Sequence, residues 1–257
     1  MNHVLKQRSM FLAKRVDQAI ENLREFCPGE GAYLCNSFGK DSGVLDKLAE
    51  LAGIKTDGHF HRTSLDPPEL IRFGKEYYPD VTIEKPSASM FKLILEKGCP
   101  PLRNMRYCCR ILKESHGAGR VVLTGTRREE SKTRWGRQLV SQCPRLGKVI
   151  VNPLVDWSIE EIWDFIHTYS VPYSDLYRTF KRLGCIMCPV AYFRTRLKEA
   201  ERWPKFFRLY LRCFDRLAAR ELTTWDTGEA VMRWWLEEGL WKERDHKQFE
   251  RILVGSQ

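Results

Sequence analysis

The sequence predicts an α/β fold: a parallel sheet covered by helices on both faces, with a helical appendage at the C-terminal end. Three observations predict it. Strand-like segments at 31–36, 54–60, 81–83, 121–124 and 149–151 alternate with helix-like segments. The first run leads straight into a Gly-containing turn and a helical pattern. Beyond position 191 the strand-like runs stop, and five of the eight Trp follow: Trp203, Trp225, Trp234, Trp235 and Trp241.

The elements follow in order. Val4, Leu5, Phe11, Leu12, Val16, Ile20, Leu23 and Phe26 repeat at helical spacing, which predicts a helix over 3–26 ended by Cys27-Pro28-Gly29. The first strand and its turn precede a helix over 42–52, with Gly53 as its stop. Asp66-Pro67-Pro68-Glu69 reads as a helix start, Pro standing in the first turn, and the helix reaches Tyr77. A short helix spans Met90 to Gly98, and Cys99-Pro100-Pro101 breaks it. Another runs from Cys108 to Glu114. Ser158 with Glu161 three residues on forms a capping box for a further helix. The chain therefore divides into a part of alternating strands and helices over 1–191 and a Trp-rich helical part over 192–257.

Composition bounds the function. A hydrophobic share of 43% supports a full core. No stretch approaches the roughly 20 apolar residues of a membrane span, and Met1 to Lys14 lacks the apolar core of a secretory signal. A cytoplasmic protein is expected. Nine cysteines are an odd number, so they cannot all pair, and clustered cysteines in a reducing compartment point to metal or redox chemistry. The net charge is +10, and residues 103–148 alone hold twelve Lys or Arg against three Glu. That block suits a polyanionic ligand: a nucleotide, or by extension a nucleic acid. A solvated basic face is the plainer reading of the same charges.

Ser37-Phe38-Gly39-Lys40-Asp41-Ser42 carries the strongest chemical signal. Backbone N–H groups of such a turn and the following helix N-terminus point at one anion. Ser37 and Ser42 add hydroxyls, and Lys40 adds a point charge expected to face solvent. Asp41 is placed either to help hold a magnesium ion or simply to favour the helix's first turn. A second block, Thr124-Gly125-Thr126-Arg127-Arg128-Glu129-Glu130-Ser131, follows a strand and offers two guanidinium forks to phosphate or sulfate, with Arg134 beyond. Asp156-Trp157 turns the chain into the Ser158 helix. Both Gly turns would lie beyond the strands' C-terminal ends, where such sheets bind ligands.

Cys108-Cys109 and Cys185-Ile186-Met187-Cys188 form the last set. Four thiolates suit zinc or an iron–sulfur cluster; adjacent cysteines reach one tetrahedral ion awkwardly, whereas a cube offers separate irons. Buried small apolar side chains are the plainer reading. Cys27, Cys35, Cys99, Cys143 and Cys213 have no paired spacing and read as core. His59 and His61 are the only close histidine pair and are not read as metal ligands.

In this order, from about Gly31 to Cys188, the motifs resemble the PP-loop superfamily of ATP pyrophosphatases and, within it, the adenylylsulfate and phosphoadenylylsulfate reductases of the 4Fe–4S type. The resemblance implies an adenine nucleotide alpha hydrolase-like fold. It implies an adenine nucleotide held by Ser37, Phe38, Gly39, Lys40, Asp41, Ser42, Gly125, Arg127, Arg128 and Ser131, with Lys40, Asp41, Arg127 and Arg128 catalytic. It implies a 4Fe–4S cluster on Cys108, Cys109, Cys185 and Cys188. The usual family turn is S-G-G-K-D-S; Phe38 departs from it, while Lys40-Asp41, which the reductases often lose, is kept. A tail cysteine of the reductases finds no match after Cys213. The combined expectation is ATP-dependent sulfur transfer or thiolation of an acceptor, possible partners being a nucleic acid and an electron or sulfur donor protein. The rival expectations are reduction of an activated sulfate to sulfite, and a nucleic-acid-binding module with a degenerate turn.

Overall fold

The computed structural model describes residues 2–220 and 224–255, with side chains from residue 10 onward. It comprises two compact units. The first contains Met1–His61, Pro68–Glu84 and Ser115–Leu183; the second contains Arg62–Pro67, Lys85–Glu114 and Gly184–Gln257.

The first unit is built on a six-stranded sheet. Its strands are β1 (Ala32–Cys35), β2 (Thr56–His61), β3 (Thr82–Glu84), β4 (Val121–Leu123), β5 (Val140–Cys143) and β6 (Lys148–Val151), in spatial order β3-β2-β1-β4-β6-β5. Every pairing is parallel except β5 with β6. Cys35 stands opposite His59, Tyr33 opposite Val122, and Leu123 opposite Val151. The sequence does not announce β5. Its four residues, Val-Ser-Gln-Cys, form an edge strand turned back by Pro144–Leu146 and Gly147, whose φ of 60° lies in the left-handed region. An edge strand needs only one apolar face, and four residues are too few to show the alternation.

The unit's helices are α1 (Asn2–Phe26), α2 (Lys40–Ala52), α3 (Pro68–Tyr77) and α6 (Ile159–Thr168), following the numbering of the whole chain. Leu34, Leu123 and Val151 share a core with Leu12, Val16 and Leu23 of α1, Val44, Leu45 and Leu48 of α2, and Ile162, Phe165 and Ile166 of α6. Each such buried side chain stabilises by about 1.5–3 kcal/mol relative to exposure. Phe11 is not among them: it is exposed, with Arg15 over its ring. One residue is 100° of helix, so the face that buries Leu12, Val16, Ala19 and Leu23 turns Phe11 outward. The side chains of Val4 and Leu5 lie outside the described residues. Gly53 ends α2 at φ 70°, and Ser158 and Glu161 close the capping box of α6, the Ser158 N–H donating to Glu161 and the Glu161 N–H to Ser158.

The second unit holds α4 (Met90–Lys97), α5 (Tyr107–Leu112), α7 (Phe193–Arg202), α8 (Pro204–Ala218), α9 (Gly228–Trp235) and α10 (Glu243–Val254). Phe207, Tyr210, Phe214 and Leu217 of α8 and Val231, Met232 and Trp235 of α9 are all buried. Trp203 and Trp235 thus serve packing, while Trp234 is exposed. Among the described residues no helix is long and apolar enough to cross a membrane.

One carboxylate weakens the first unit. Burial, reinforced by Glu50 and Asp80, lifts the Asp46 carboxyl to about 6. The folded chain then holds that proton more tightly than the unfolded chain. The resulting stability is present in full below about pH 4 and is lost as pH rises through about 6. Asp46→Asn should therefore raise stability by about 1–2 kcal/mol at pH 7.5 and change little at pH 4. Urea unfolding at both pH values checks this; equal effects at both would refute it.

Candidate functional site

Strand order reverses between β1 and β4, with β2 and β3 to one side and β6 and β5 to the other. In an open α/β sheet the crevice at such a reversal, beyond the strands' C-terminal ends, is where ligands sit. The turns at 36–39 and 124–127 leave from these two ends.

The first turn is fixed from within. Asn36 Oδ1 accepts the Phe38 N–H (2.8 Å) and the Ser42 hydroxyl (3.2 Å); Ser42 Oγ also reaches Gly39 O at 2.9 Å and accepts the Ser37 N–H at 3.2 Å. Phe38 takes φ 56°, a conformation that costs a non-glycine residue on the order of 1–3 kcal/mol. Burial offsets this. The Phe38 ring is 1% exposed and stacks on Phe60 with centroids 4.3 Å apart. Gly74 of α3 makes the room, since a Cβ there would stand 2.3 Å from the ring. Phe38 thus reaches by anchoring the backbone shape that a glycine reaches by freedom.

The second turn meets the first. A Cβ on Gly125 would lie 2.9 Å from Asp41 O, so only glycine permits this approach. Arg127 Nε donates to Asp41 Oδ1 (2.7 Å), and Lys40 Nζ to Asp41 Oδ2 (2.6 Å). Arg127 Nη1 also donates to Glu129 Oε2 (2.7 Å) and Trp157 O (3.2 Å), and its own N–H to Glu130 (3.0 Å). The Lys40 N–H donates to the Tyr177 hydroxyl at 2.9 Å, and its ammonium stands 5.6 Å from that ring's centroid. Two cations therefore grip one carboxylate at the N-terminus of α2.

Lys40 is 7% exposed, not solvent-facing, because Asp41 and Tyr177 hold it in. Arg127 is buried; Arg128 is half-exposed, its Nη1 on Asp156 and its Nε on Arg137 O. Asp156 has this ion pair in addition to its turn. Ser37 and Ser131 are exposed. Lys148, the last residue of the basic block over 103–148, is buried with Nζ on His116 O (3.0 Å). Asn36 and Tyr177 are additions. Asn36 stands directly before the motif, where its side chain turns the backbone. Tyr177 lies 137 residues beyond Lys40 and leaves no local signal.

The four cysteines belong to the second unit. Cys108 and Cys109 lie in α5; Cys185 and Cys188 flank a turn in which Met187 takes φ 59° and the Cys188 N–H donates to Cys185 O (3.2 Å). Leu65 O accepts the Ile186 N–H (2.7 Å), and Glu199 accepts the Met187 N–H (2.6 Å). The two adjacent thiols act on each other, which holds the Cys109 thiol below its ordinary range and lifts that of Cys108. Burial raises Cys185 while Lys113 opposes it, and the Cys185 thiolate in turn raises Lys113. Among the described residues no three His, Cys, Asp or Glu are grouped as ligands of one metal ion. Four thiolates are the donor type a 4Fe–4S cube takes, one on each iron rather than four on one centre.

A phosphate-type turn at the switch point of a mostly parallel sheet defines a nucleotide-binding α/β enzyme of the PP-loop kind. Residues 32–191 match the model of the phosphoadenosine phosphosulfate reductase domain, and the chain belongs to that family. It is similar to the adenosine 5'-phosphosulfate reductase of Staphylococcus haemolyticus, 32% identical over 191 residues that cover 68% of this chain and 76% of the relative. An uncharacterized protein of Methanocaldococcus jannaschii is 28% identical over 261 residues, 95% of this chain and 60% of that one. Among solved structures, the phosphoadenylyl-sulfate reductase from Candida auris, a phosphate complex, aligns with TM-score 0.49 and 22% identity over 65% of this chain and 88% of that one.

Proposed function

We propose that the protein binds ATP or a related adenylyl nucleotide and acts in sulfur transfer or thiolation of an acceptor. The carrying observation is Asp41 held between Lys40 and Arg127 beside the turn at the switch point. An adenylyl nucleotide's phosphates lie on the turn's N–H groups, and Lys40 moves from Asp41 to the phosphate oxygens. Asp41 then keeps Arg127 in place and frees one oxygen for magnesium. Ser37, Ser42, Gly125, Arg128 and Ser131 complete the cradle in this reading. An acceptor oxygen attacks the α-phosphorus and pyrophosphate leaves; a sulfur nucleophile from a donor protein then displaces AMP. Cys108, Cys109, Cys185 and Cys188 hold a 4Fe–4S cluster, which when bound supplies a polarisable, redox-active centre in the second unit. The helices over 192–257 serve as the appendage to the nucleotide-binding part.

The relatives' name supports a second reading, reduction of an activated sulfate to sulfite. Anaerobically purified protein decides between them. Pyrophosphate released from ATP in an acceptor-dependent way supports the first; sulfite from adenylylsulfate or phosphoadenylylsulfate supports the second and overturns the first.

The exposed side chains of Lys132, Arg137 and Arg145, with Trp135 74% exposed among them, support a nucleic acid as the acceptor. Binding of tRNA or DNA should fall steeply with salt. Replacing the three basic residues with Ala should flatten that slope by about 2–3 and leave ATP affinity intact. Filter binding across a salt series reads this, and no salt-dependent binding by the unaltered protein would point to a small acceptor.

A further inference from the structure

Arg196 heads the fully buried side chains of the described structure by size, at 1% exposed. Its Nη1 donates to Trp235 O at 2.8 Å, and its guanidinium carbon lies 4.0 Å from the centroid of the Trp235 ring. Nε and Nη2 are sealed from solvent and find no acceptor among the described residues. Among those residues no carboxylate forms an ion pair with the guanidinium, although the Glu237 and Glu199 carboxylates lie near enough to act on its charge. A buried guanidinium with three unused N–H donors is a costly arrangement unless an anion completes it.

The position of Arg196 says what that anion is. Arg196 and Glu199 stand three residues apart on α7, hence on one helix face. Glu199 accepts the Met187 N–H at 2.6 Å, so this face of α7 lies against the Cys185–Cys188 turn. Burial brings the Arg196 guanidinium down to about 10, and Tyr210, Glu237, the Cys188 thiolate and Glu199 oppose the fall. A 4Fe–4S cluster with four thiolate ligands carries net negative charge in either usual oxidation state, and its sulfurs accept hydrogen bonds.

We propose that Arg196 is a positioning residue for the iron–sulfur group: its free N–H donors bond to sulfur on the Cys188 side, and its charge offsets that of the cluster. This rests on the reading of the four cysteines as cluster ligands. The reduced cluster is the more negative form, so Arg196 favours it and raises the reduction potential.

The test uses the full chain, loaded anaerobically, with Arg196→Met and Arg196→Lys. Iron and sulfide analysis establishes the cluster first. A reductive titration followed by electron paramagnetic resonance then reads the potential. In Arg196→Met the ratio of reduced to oxidised cluster at a fixed potential should fall at least tenfold, about 59 mV for one electron. Arg196→Lys should fall between, keeping the charge and losing the fork. Melting temperature supplies a readout that needs no turnover. Iron-free Arg196→Met should melt higher than iron-free unaltered protein, because a buried charge whose Nε and Nη2 lack acceptors is gone. Loaded Arg196→Met should melt lower than loaded unaltered protein. An unchanged potential, or melting shifts of the same sign in both forms, would overturn the proposal. Unaltered protein lacking both iron and sulfide would instead remove the cluster reading on which the proposal depends. If Arg196→Met fails to fold, the lysine variant's potential decides alone, and one equal to that of the unaltered protein rejects the role.

Discussion

Cys188→Ser should leave the protein without its iron, and Cys185→Ser, Cys108→Ser and Cys109→Ser should do the same. Anaerobically prepared protein is expected to be brown and to hold about four iron and four sulfide per chain; each variant should fall to near zero and lose the visible absorbance. The argument is one of donor chemistry. A thiolate is the ligand such a cluster requires, and a serine hydroxyl at neutral pH is a neutral, harder oxygen. The Cys185–Cys188 turn adds a geometric reason. It is braced at both central amides, by Leu65 O on Ile186 and Glu199 on Met187, and cannot readily shift to present another group. Cys213→Ser is the control: its thiol donates to Phe91 O at 3.6 Å, and its replacement should keep the iron. Because metal binding adds to folding stability, the four serine variants should also melt lower than the loaded protein. Stoichiometric zinc with no sulfide in the unaltered protein would defeat the cluster assignment outright.

What could be read from sequence was what is decided locally. The run Ala32–Cys35, the Gly39 turn, the Gly53 stop and the Ser158–Glu161 box each act within a few residues, and their periodicity and cap chemistry are visible in the chain. The motif order likewise pointed to the family. What escaped is decided by packing across long separations. Phe38 can hold a glycine's conformation only because Gly74 and Phe60 shape its pocket. Lys40, expected to face solvent, is drawn inward by Tyr177, and Lys148 of the basic block is drawn in by the His116 carbonyl. Phe11 looked like core because it falls near the helical period, yet the core face of α1 is one residue over. The cysteine spacing was visible, whereas the buried charge of Arg196, eight residues past Cys188, carries no motif at all.

Lys40→Ala and Arg127→Ala should separate ligand binding from folding in the first unit. Both side chains bond to Asp41, one to each oxygen. Their other contacts differ. Among the described residues Lys40 Nζ otherwise faces the Tyr177 ring, whereas Arg127 also ties down Glu129 and the Trp157 carbonyl. Removing Lys40 leaves Asp41 paired with Arg127 and partly solvated, so the unit should lose less than about 1 kcal/mol. Nucleotide affinity should drop far more, because a charge-assisted contact to phosphate is lost, on the order of 1.5–3 kcal/mol, or roughly ten- to hundredfold. Removing Arg127 leaves a buried carbonyl without its donor and two carboxylates without their shared cation. Stability should fall by about 2–3 kcal/mol, with weakened nucleotide binding as a consequence. Calorimetric titration with ATP and urea unfolding, run on both variants, read the two quantities separately. A Lys40→Ala protein that melts normally and binds ATP as tightly as the unaltered chain would show that the turn between β1 and α2 does not hold the phosphates.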